Sequence, residues 1–403
     1  MPETHASIAS QDHPFHLAIV TETYPPEING VAMTLARLAA SLRRKGHRVT
    51  VVCPRHPGRS EDADLCEVAG LPLPGYAGLR FGLPAGGRLR ALWRRQAPDV
   101  TYVATQGPLG ASAVRAARAR GIPAVSGFHT NFHTYSRHYG LAWLEPAVFA
   151  YLRRFHNRTG ATLVPTAALQ RELGAHGLRN VQVLGRGVDT ALFDPARRDA
   201  RLREAWGLAG DVPAVLYVGR LAAEKNLQLA VHTFRALQGV RPEARFVLVG
   251  DGPLAARLKA EHTDFVFCGM QTGEALAAHY ASGDLFLFPS LTETFGNVVL
   301  EALASGLAVV AFDYAAAGQH IRSYETGLSA PCGNEALFLQ HALALLTDDA
   351  LRQRVRANAR RQALTQDWTW IGAQFESLLR RQLNEHMPTP SESTRARPTK
   401  TQL

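Results

Sequence analysis

Along this chain, short runs of consecutive apolar residues alternate with longer stretches in which apolar residues recur every third or fourth position. HLAIVTETY, from His16, reads as a strand buried on both faces, and a polar turn, PPEING, follows it. Leu35, Leu38, Ala39 and Leu42 then fall on one face of a helix predicted over 31–45, and RVTVVC, from Arg48, is the next strand. Strands without polar alternation, each joined to the next through a helix, specify a parallel sheet covered on both faces. The pattern continues through DVTYVAT from Asp99, a helix ending at Arg120, PAVSGF from Pro123, a helix around Pro146 to Asn157, ATLVPT from Ala161 and VQVLGRGV from Val181.

A stretch containing Pro and Arg, near Asp194 to Arg203, interrupts this alternation, which then restarts. PAVLYVG, RFVLVG, DFVFCG, DLFLFPS and LAVVAF are five further strands separated by segments of helix length. The expected fold class is α/β: two doubly wound, Rossmann-like parallel-sheet domains, over 1–195 and 196–365, facing each other across a cleft. The helical segment 366–385 is expected to return to the first domain, and 386–403, rich in Pro, Ser and Thr, reads as a disordered tail. Ligands of such folds bind at the carboxyl ends of the strands, so the site should draw on strand-end loops of both halves.

Composition narrows the class. A chain of 403 residues exceeds the roughly 250 to 300 that one hydrophobic core serves, in keeping with two domains. Apolar residues make up 46% and charged residues 19%, which excludes collagen, coiled coil and wholesale disorder. Cys53, Cys66, Cys268 and Cys332 are far apart with no C-x-x-C spacing, as expected of reduced cytosolic thiols rather than a disulfide scaffold or a structural zinc. No apolar run reaches the roughly 18 to 20 residues of a membrane span, and the polar start MPETHASIASQDHPF lacks the features of a signal peptide. A cytoplasmic protein is expected. Of the net charge of +10, residues 1–195 carry most, with 22 Lys/Arg against 13 Asp/Glu. A basic half suits nucleic acid, an anionic membrane surface or a phosphorylated ligand, while arginines such as Arg88, Arg90, Arg94 and Arg95 also suit an ordinary solvated helix face.

The strand-end loops carry the chemistry. In TETYPPEINGVAMT a Gly-containing turn opens a helix, offering unpaired N–H groups and the positive end of the helix dipole to an anion, with Gly30 allowing close backbone approach. VGRLAAEKN places Arg220 and Lys225 at a strand mouth, poor core residues but good partners for a diphosphate; the structural alternative is a helix-start salt bridge among Arg220, Glu224 and Lys225. In PSLTETFGNVVLEALASG, Glu293 ends a strand and Glu301 lies one to two turns into the next helix. Two carboxylates so spaced can bond the hydroxyls of a sugar and of a ribose, while Gly296 lets the amides of Thr294, Phe295, Gly296 and Asn297 approach an anion. GFHTNFHTYSRHY holds His129, His133 and His138, but without an obvious carboxylate ligand these do not argue for a metal; His129, at the strand end, is placed to bond a substrate.

Two further patterns suggest other functions. GDGPLA, Gly250 to Ala255, fits the dinucleotide fingerprint, which would make the protein an NAD-dependent oxidoreductase, but it follows the second strand of its domain and not the first. The basic first half would suit a non-catalytic nucleic-acid-binding protein, yet no aromatic–basic motif supports one. The acidic run at Asp62 to Asp64 reads as solvated surface.

Taken in order, TETYPPEINGV, GFHT, RGVD (Arg186 to Asp189), VGRLAAEKN, GDGP and the E-x7-E of Glu293 and Glu301 resemble the motifs of retaining glycosyltransferases of the GT-B fold, family four, over about residues 16 to 380. The opening motif and SRHYG are most similar to bacterial GDP-mannose-dependent α-mannosyltransferases and lipid-directed α-hexosyltransferases. The resemblance implies a nucleotide diphosphate sugar donor, a lipid or glycan acceptor and no metal or other cofactor; the charge asymmetry adds the expectation that the basic first half sits on the anionic inner face of the cell membrane. It implies that Gly30 lies beside the donor diphosphate, that Arg220 and Lys225 neutralise it, and that His129 bonds a sugar hydroxyl. Glu293 would hold the transferred sugar with the Phe295 to Asn297 backbone, and Glu301 the ribose. The sequence departs from the pattern at Ala315 to Ile321, where Gln319 and His320 stand in place of the usual glycine pair and glutamate.

Overall fold

The computed structural model describes residues 13–27, 29–59, 63–72, 80–129 and 145–386. His133, His138, the SRHYG run, Asp62 and the tail beyond 386 lie outside the described residues. The first half contains strands β1 (His16–Val20), β2 (Arg48–Pro54) and β3 (Leu65–Val68), a small antiparallel hairpin of β4 (Gly70–Pro72) and β5 (Arg80–Gly82), then β6 (Val100–Val103), β7 (Ala124–Gly127), β8 (Ala161–Val164) and β9 (Val181–Val183). Apart from the hairpin these pair in parallel, in the order β3-β2-β1-β6-β7-β8-β9. Helices α1 (Gly30–Arg44), α2 (Gly86–Arg95), α3 (Pro108–Arg118), α4 (Glu145–His156) and α5 (Ala167–Ala175) connect them.

The second half repeats the plan with β10 (Ala214–Val218), β11 (Arg245–Val249), β12 (Val266–Gly269), β13 (Leu285–Phe288), β14 (Ala308–Phe312) and β15 (Leu328–Ala330), in the order β12-β11-β10-β13-β14-β15. Its helices are α6 (Ala200–Ala205), α7 (Leu227–Val240), α8 (Ala255–Glu261), α9 (Gly273–Ser282), α10 (Asn297–Ala304), α11 (Ala315–His320), α12 (Glu335–Thr347) and α13 (Asp349–Leu364). Four strands exceed the sequence expectation: the two of the β4–β5 hairpin, β3 and β15. LCEV (β3) is an edge strand with a glutamate in its centre, and β15 spans only three residues, so neither makes the apolar run that marks the others.

Alternation along the strands sorts the first core into two faces. Leu17 and Ile19 of β1 pack with Leu35 and Leu38 of α1, while Ala18 and Val20 pack with α2 and α3 through Leu89, Trp93 and Leu109. The face shared with α1 is completed from the far end of the chain by α14 (Trp368–His386), whose Ile371, Phe375 and Leu379 are fully buried there. Each such side chain contributes about 1.5–3 kcal/mol by leaving water. The two helices cross at Gly372, where an added Cβ would stand 1.9 Å from Ser41 Oγ. Glu376 of α14 pins the crossing by pairing with Lys45 (2.8 Å), His47 (3.2 Å) and Arg380 (2.8 Å). The chain therefore passes between the halves twice, and the two passages lie side by side: Val188 N donates to Gln366 O at 2.9 Å. No helix among the described residues is long and apolar enough to cross a membrane.

Candidate active site

In each sheet the strand order reverses once, between β1 and β6 and between β10 and β13, and a crevice opens at the carboxyl ends on either side of such a point. From β10 the chain enters the loop that ends in the 3-10 turn Ala223–Lys225; from β13 it enters the loop that ends at Gly296. Thr292 Oγ1 donates to Glu224 O across these loops at 3.2 Å. They bring Lys225 Nζ and Glu293 Oε1 into a direct ion pair, with side chains 17% and 14% exposed. Glu293 Oε1 also accepts from Ser290 Oγ at 2.9 Å, and its carbonyl accepts from Tyr314 OH at 2.7 Å, so both carboxylate and backbone are held. Arg220 stands exposed at the mouth of the same loop, 3.8 Å from Glu224. Half of the salt bridge weighed as a structural alternative thus forms, while Lys225 turns to Glu293 instead.

Gly296, at φ +88°, makes the turn into α10, a left-handed conformation that residues with a Cβ rarely adopt. Phe295 is buried and its carbonyl accepts from Ala316 N at 2.7 Å; Thr294 is part-buried, and Asn297 opens the helix. Across the crevice α1 begins at Gly30. Asn29 Oδ1 takes the amides of Val31 (3.1 Å) and Ala32 (2.9 Å), so two N–H groups expected to be unpaired are satisfied internally. Gly30 itself is exposed, and a Cβ built there would lie 3.5 Å from Asn297 Nδ2. The first turns of α1 and α10, from different sheets, therefore confront each other. Two positive helix ends meeting in this way make a place for an anion.

Glu301 lies further along α10, where Tyr280 OH donates to its Oε2 at 2.9 Å. Burial pushes the carboxyl up to about 7 despite that bond, so near neutral pH it is both a hydrogen-bond donor and an acceptor. His129 is buried on the first sheet. Its Nε2 lies 2.8 Å from Tyr102 OH and its Nδ1 accepts from Arg186 Nη2. Burial, reinforced by the Arg186 charge, holds it well below the usual imidazole range. It is a neutral ring with both nitrogens engaged by protein, an arrangement that leaves neither open for the sugar hydroxyl suggested by its position. The glycines of GDGP face inward: a Cβ on Gly250 would stand 2.0 Å from Gly219 O, and one on Gly252 2.5 Å from Leu221 O. They let two strand-end loops pack together, which accounts for them without a dinucleotide.

Residues 28–192 match the model of Glycosyltransferase Family 4, and residues 212–348 that of Glycosyl transferases group 1. Over 359 residues the chain is 36% identical to a GDP-mannose-dependent alpha-mannosyltransferase of Mycobacterium tuberculosis, covering 87% of this chain and 93% of that protein. The chain is a family 4 glycosyltransferase. A GDP-mannose-dependent alpha-mannosyltransferase of Mycolicibacterium smegmatis is 35% identical with the same coverage. Among solved structures, sucrose-phosphate synthase from Thermosynechococcus elongatus superposes with a TM-score of 0.74 at 18% identity, covering 92% of this chain and all of that one, and the glycosyltransferase has the GT-B fold.

Several residues of this glycosyltransferase's cleft have no role assigned from the sequence, although Arg186 stands in the RGVD motif. Tyr280, Ser290 and Tyr314 support the two glutamates, and Tyr102 and Arg186 enclose His129. Of these only Arg186 carried a usable signal, a cation directly after a strand of a buried sheet; the others look like ordinary core or loop residues. Gln319 is exposed on α11, and a Cβ on Gly185 would lie 3.9 Å from its Nε2, so the departure from the family motif faces the passage between the sheets. His320 is buried beside Phe295 with neither ring nitrogen bonded to a described residue.

Proposed function

We propose that this glycosyltransferase moves a hexose, mannose by preference and glucose as the alternative, from a nucleotide diphosphate sugar to a hydroxyl of a lipid or glycan acceptor, with retention of the anomeric configuration. The observation that carries the reading is the meeting of Gly30 and Asn297 from two sheets, beside the Lys225–Glu293 pair. The diphosphate is assigned beside the two helix starts, with Lys225 and Arg220 as its cationic partners. As the bond from the sugar C1 to phosphate oxygen breaks, negative charge grows on that oxygen, and cations and dipoles already in place stabilise it without reorganising. One such partner is worth about 2.7–4 kcal/mol. This balance calls for no resident metal or other cofactor.

Glu293 holds sugar hydroxyls, its carboxylate kept in position by Lys225 and Ser290. A carboxylate so tied is a poor nucleophile, which favours attack by the acceptor hydroxyl on the face that the diphosphate leaves. The new bond forms at C1 and the hydroxyl proton passes to the departing phosphate oxygen. Glu301 with Tyr280 takes the ribose hydroxyls, and the amides of Thr294 to Asn297 line the anion.

The names of the mycobacterial relatives support GDP-mannose as the donor. Thermal-shift measurements with GDP-mannose, UDP-glucose and ADP-glucose test this, since a ligand that binds only the folded state raises the melting temperature. GDP-mannose is expected to give the largest rise; no rise with any nucleotide sugar would remove the reading. A lipid acceptor fits Arg88, Arg90, Arg94 and Arg95, exposed on α2 beside α3 with its exposed Arg115 and Arg118, as an attachment face for the anionic inner leaflet. Flotation with anionic vesicles at low salt is expected to carry the protein, and indifference to lipid charge would count against that attachment.

A further inference from the structure

Arg186 follows β9 at the carboxyl end of the first sheet and is 5% exposed. Burial lowers its pKa only to about 10, so the guanidinium is cationic at neutral pH. Other buried arginines of this chain are compensated. Arg203 pairs with Asp284 at 3.0 Å and donates to the carbonyls of Ser282 and Val212, and Arg59 pairs with Glu67 at 3.2 Å. Arg186 has no carboxylate partner among the described residues; its hydrogen bond goes to the neutral ring of His129, behind which stands the Tyr102 hydroxyl. A buried charge without a counter-ion is costly, and a chain that keeps one has a use for it.

The surroundings point the same way. Across from Gly185, next to Arg186 in the chain, the second half presents Gln319, an uncharged amide. The donor diphosphate is assigned to another corner of the cleft. It is assigned beside Gly30, after β1, whereas Arg186 meets His129 after β7, two strands further along the sheet. Two strand spacings set these loops about 10 Å apart at the backbone.

Resting on the proposed donor assignment, we propose that Arg186, seated on His129 and Tyr102, is the subsite for an oxyanion, phosphate or carboxylate, carried by the acceptor. A bound oxyanion would restore the charge balance and could take two parallel guanidinium bonds, fixing the acceptor's orientation in the cleft.

The test is calorimetric titration of inorganic phosphate, and separately of glucuronate, into full-length protein already saturated with GDP, so that the donor's phosphate positions are filled. Wild type is expected to bind at least one of the two probes. Arg186→Met is expected to weaken that binding by about tenfold or more, with GDP affinity within about threefold of wild type. Gln319→Glu, which brings a competing carboxylate, is expected to weaken it in the same direction. Because Arg186→Met removes an uncompensated charge, its melting temperature without ligand should equal or exceed wild type, where loss of a purely structural arginine would lower it. Unchanged probe binding in Arg186→Met, or no probe binding by the wild-type GDP complex, overturns the proposal. A tenfold or greater loss of GDP affinity moves Arg186 to the donor and overturns the acceptor assignment. If GDP, UDP and ADP all fail to bind wild type, the donor reading fails, and the same titrations on free protein still show whether Arg186 holds an oxyanion.

Discussion

On the loops of the second sheet, Lys225 sits against Glu293, which is held in turn by Ser290 and, through its backbone, by Tyr314. On the first sheet, Arg186 is more deeply buried yet leans on a neutral imidazole. Both are cations placed at strand ends over one cleft. A paired charge keeps a site in working shape before any ligand arrives, and it fixes the direction in which the carboxylate points. An unpaired charge marks a deficit that a ligand can fill. The contrast divides the cleft into the side proposed for the donor, which is built in advance, and an opposite side whose charge no described carboxylate balances.

Unpairing Lys225 from Glu293 has the largest expected effect. Lys225→Ala strands Glu293 and removes a phosphate partner, and should lower kcat/KM for a nucleotide sugar by about a hundredfold or more; Glu293→Gln should fall in the same range. In steady-state assays the double variant should lose less than the product of the two single losses, because both remove one shared interaction. Multiplicative losses would show that the two residues act separately.

Glu301 allows a test by pH. Its carboxyl ionises near 7 when folded, against 4.5 in the free state, because of burial. Between those values the folded protein keeps a proton that the unfolded chain has lost. The stability this contributes is complete below about pH 4.5 and is lost as pH rises through 7. Glu301→Gln cannot ionise, so between pH 5 and pH 8 it should gain stability relative to wild type by on the order of 1 kcal/mol or more in denaturant melts without ligand. Parallel pH profiles would place the carboxyl in a wetter setting.

The smallest effect belongs to the brace behind the first sheet. Burial alone would raise the Glu376 carboxyl, but hydrogen bonds from Lys45, Arg380 and His47 outweigh it and hold the group at about 2, against an ordinary 4.5. That stability is present above pH 4.5 and is lost as pH falls through 2. Glu376→Gln should therefore cost about 1 kcal/mol at pH 7, after allowance for solvent screening, and its deficit should shrink as the melts approach pH 2.

Much of the fold was legible because every long parallel strand is apolar on both faces, so HLAIV, AVLYV and LFLF stand out in the chain. β3 and β15 were missed because an edge strand and a three-residue strand need no such run. At the site, Lys225, Glu293 and Glu301 could be picked out as polar groups at strand ends, where the topology sends ligands. That Lys225 pairs with Glu293, 68 residues away, could not be, because Glu224 and Arg220 offer the same charges locally. His129 was visible as a strand-end histidine, but its engagement depends on Tyr102 and Arg186, which come from two other strand ends. Sequence spacing shows which loops carry chemistry; tertiary packing decides which charges are already spent.

Whether helix starts from both sheets jointly enclose a diphosphate is decided by calorimetric titration of GDP into wild type and Gly30→Val. The branched side chain would fill the gap toward Asn297 while leaving Lys225, Arg220 and Glu293 untouched. For Gly30→Val the dissociation constant should rise by about tenfold or more, as expected for a blocked anion site. Unaltered GDP affinity in a folded Gly30→Val protein would contradict it.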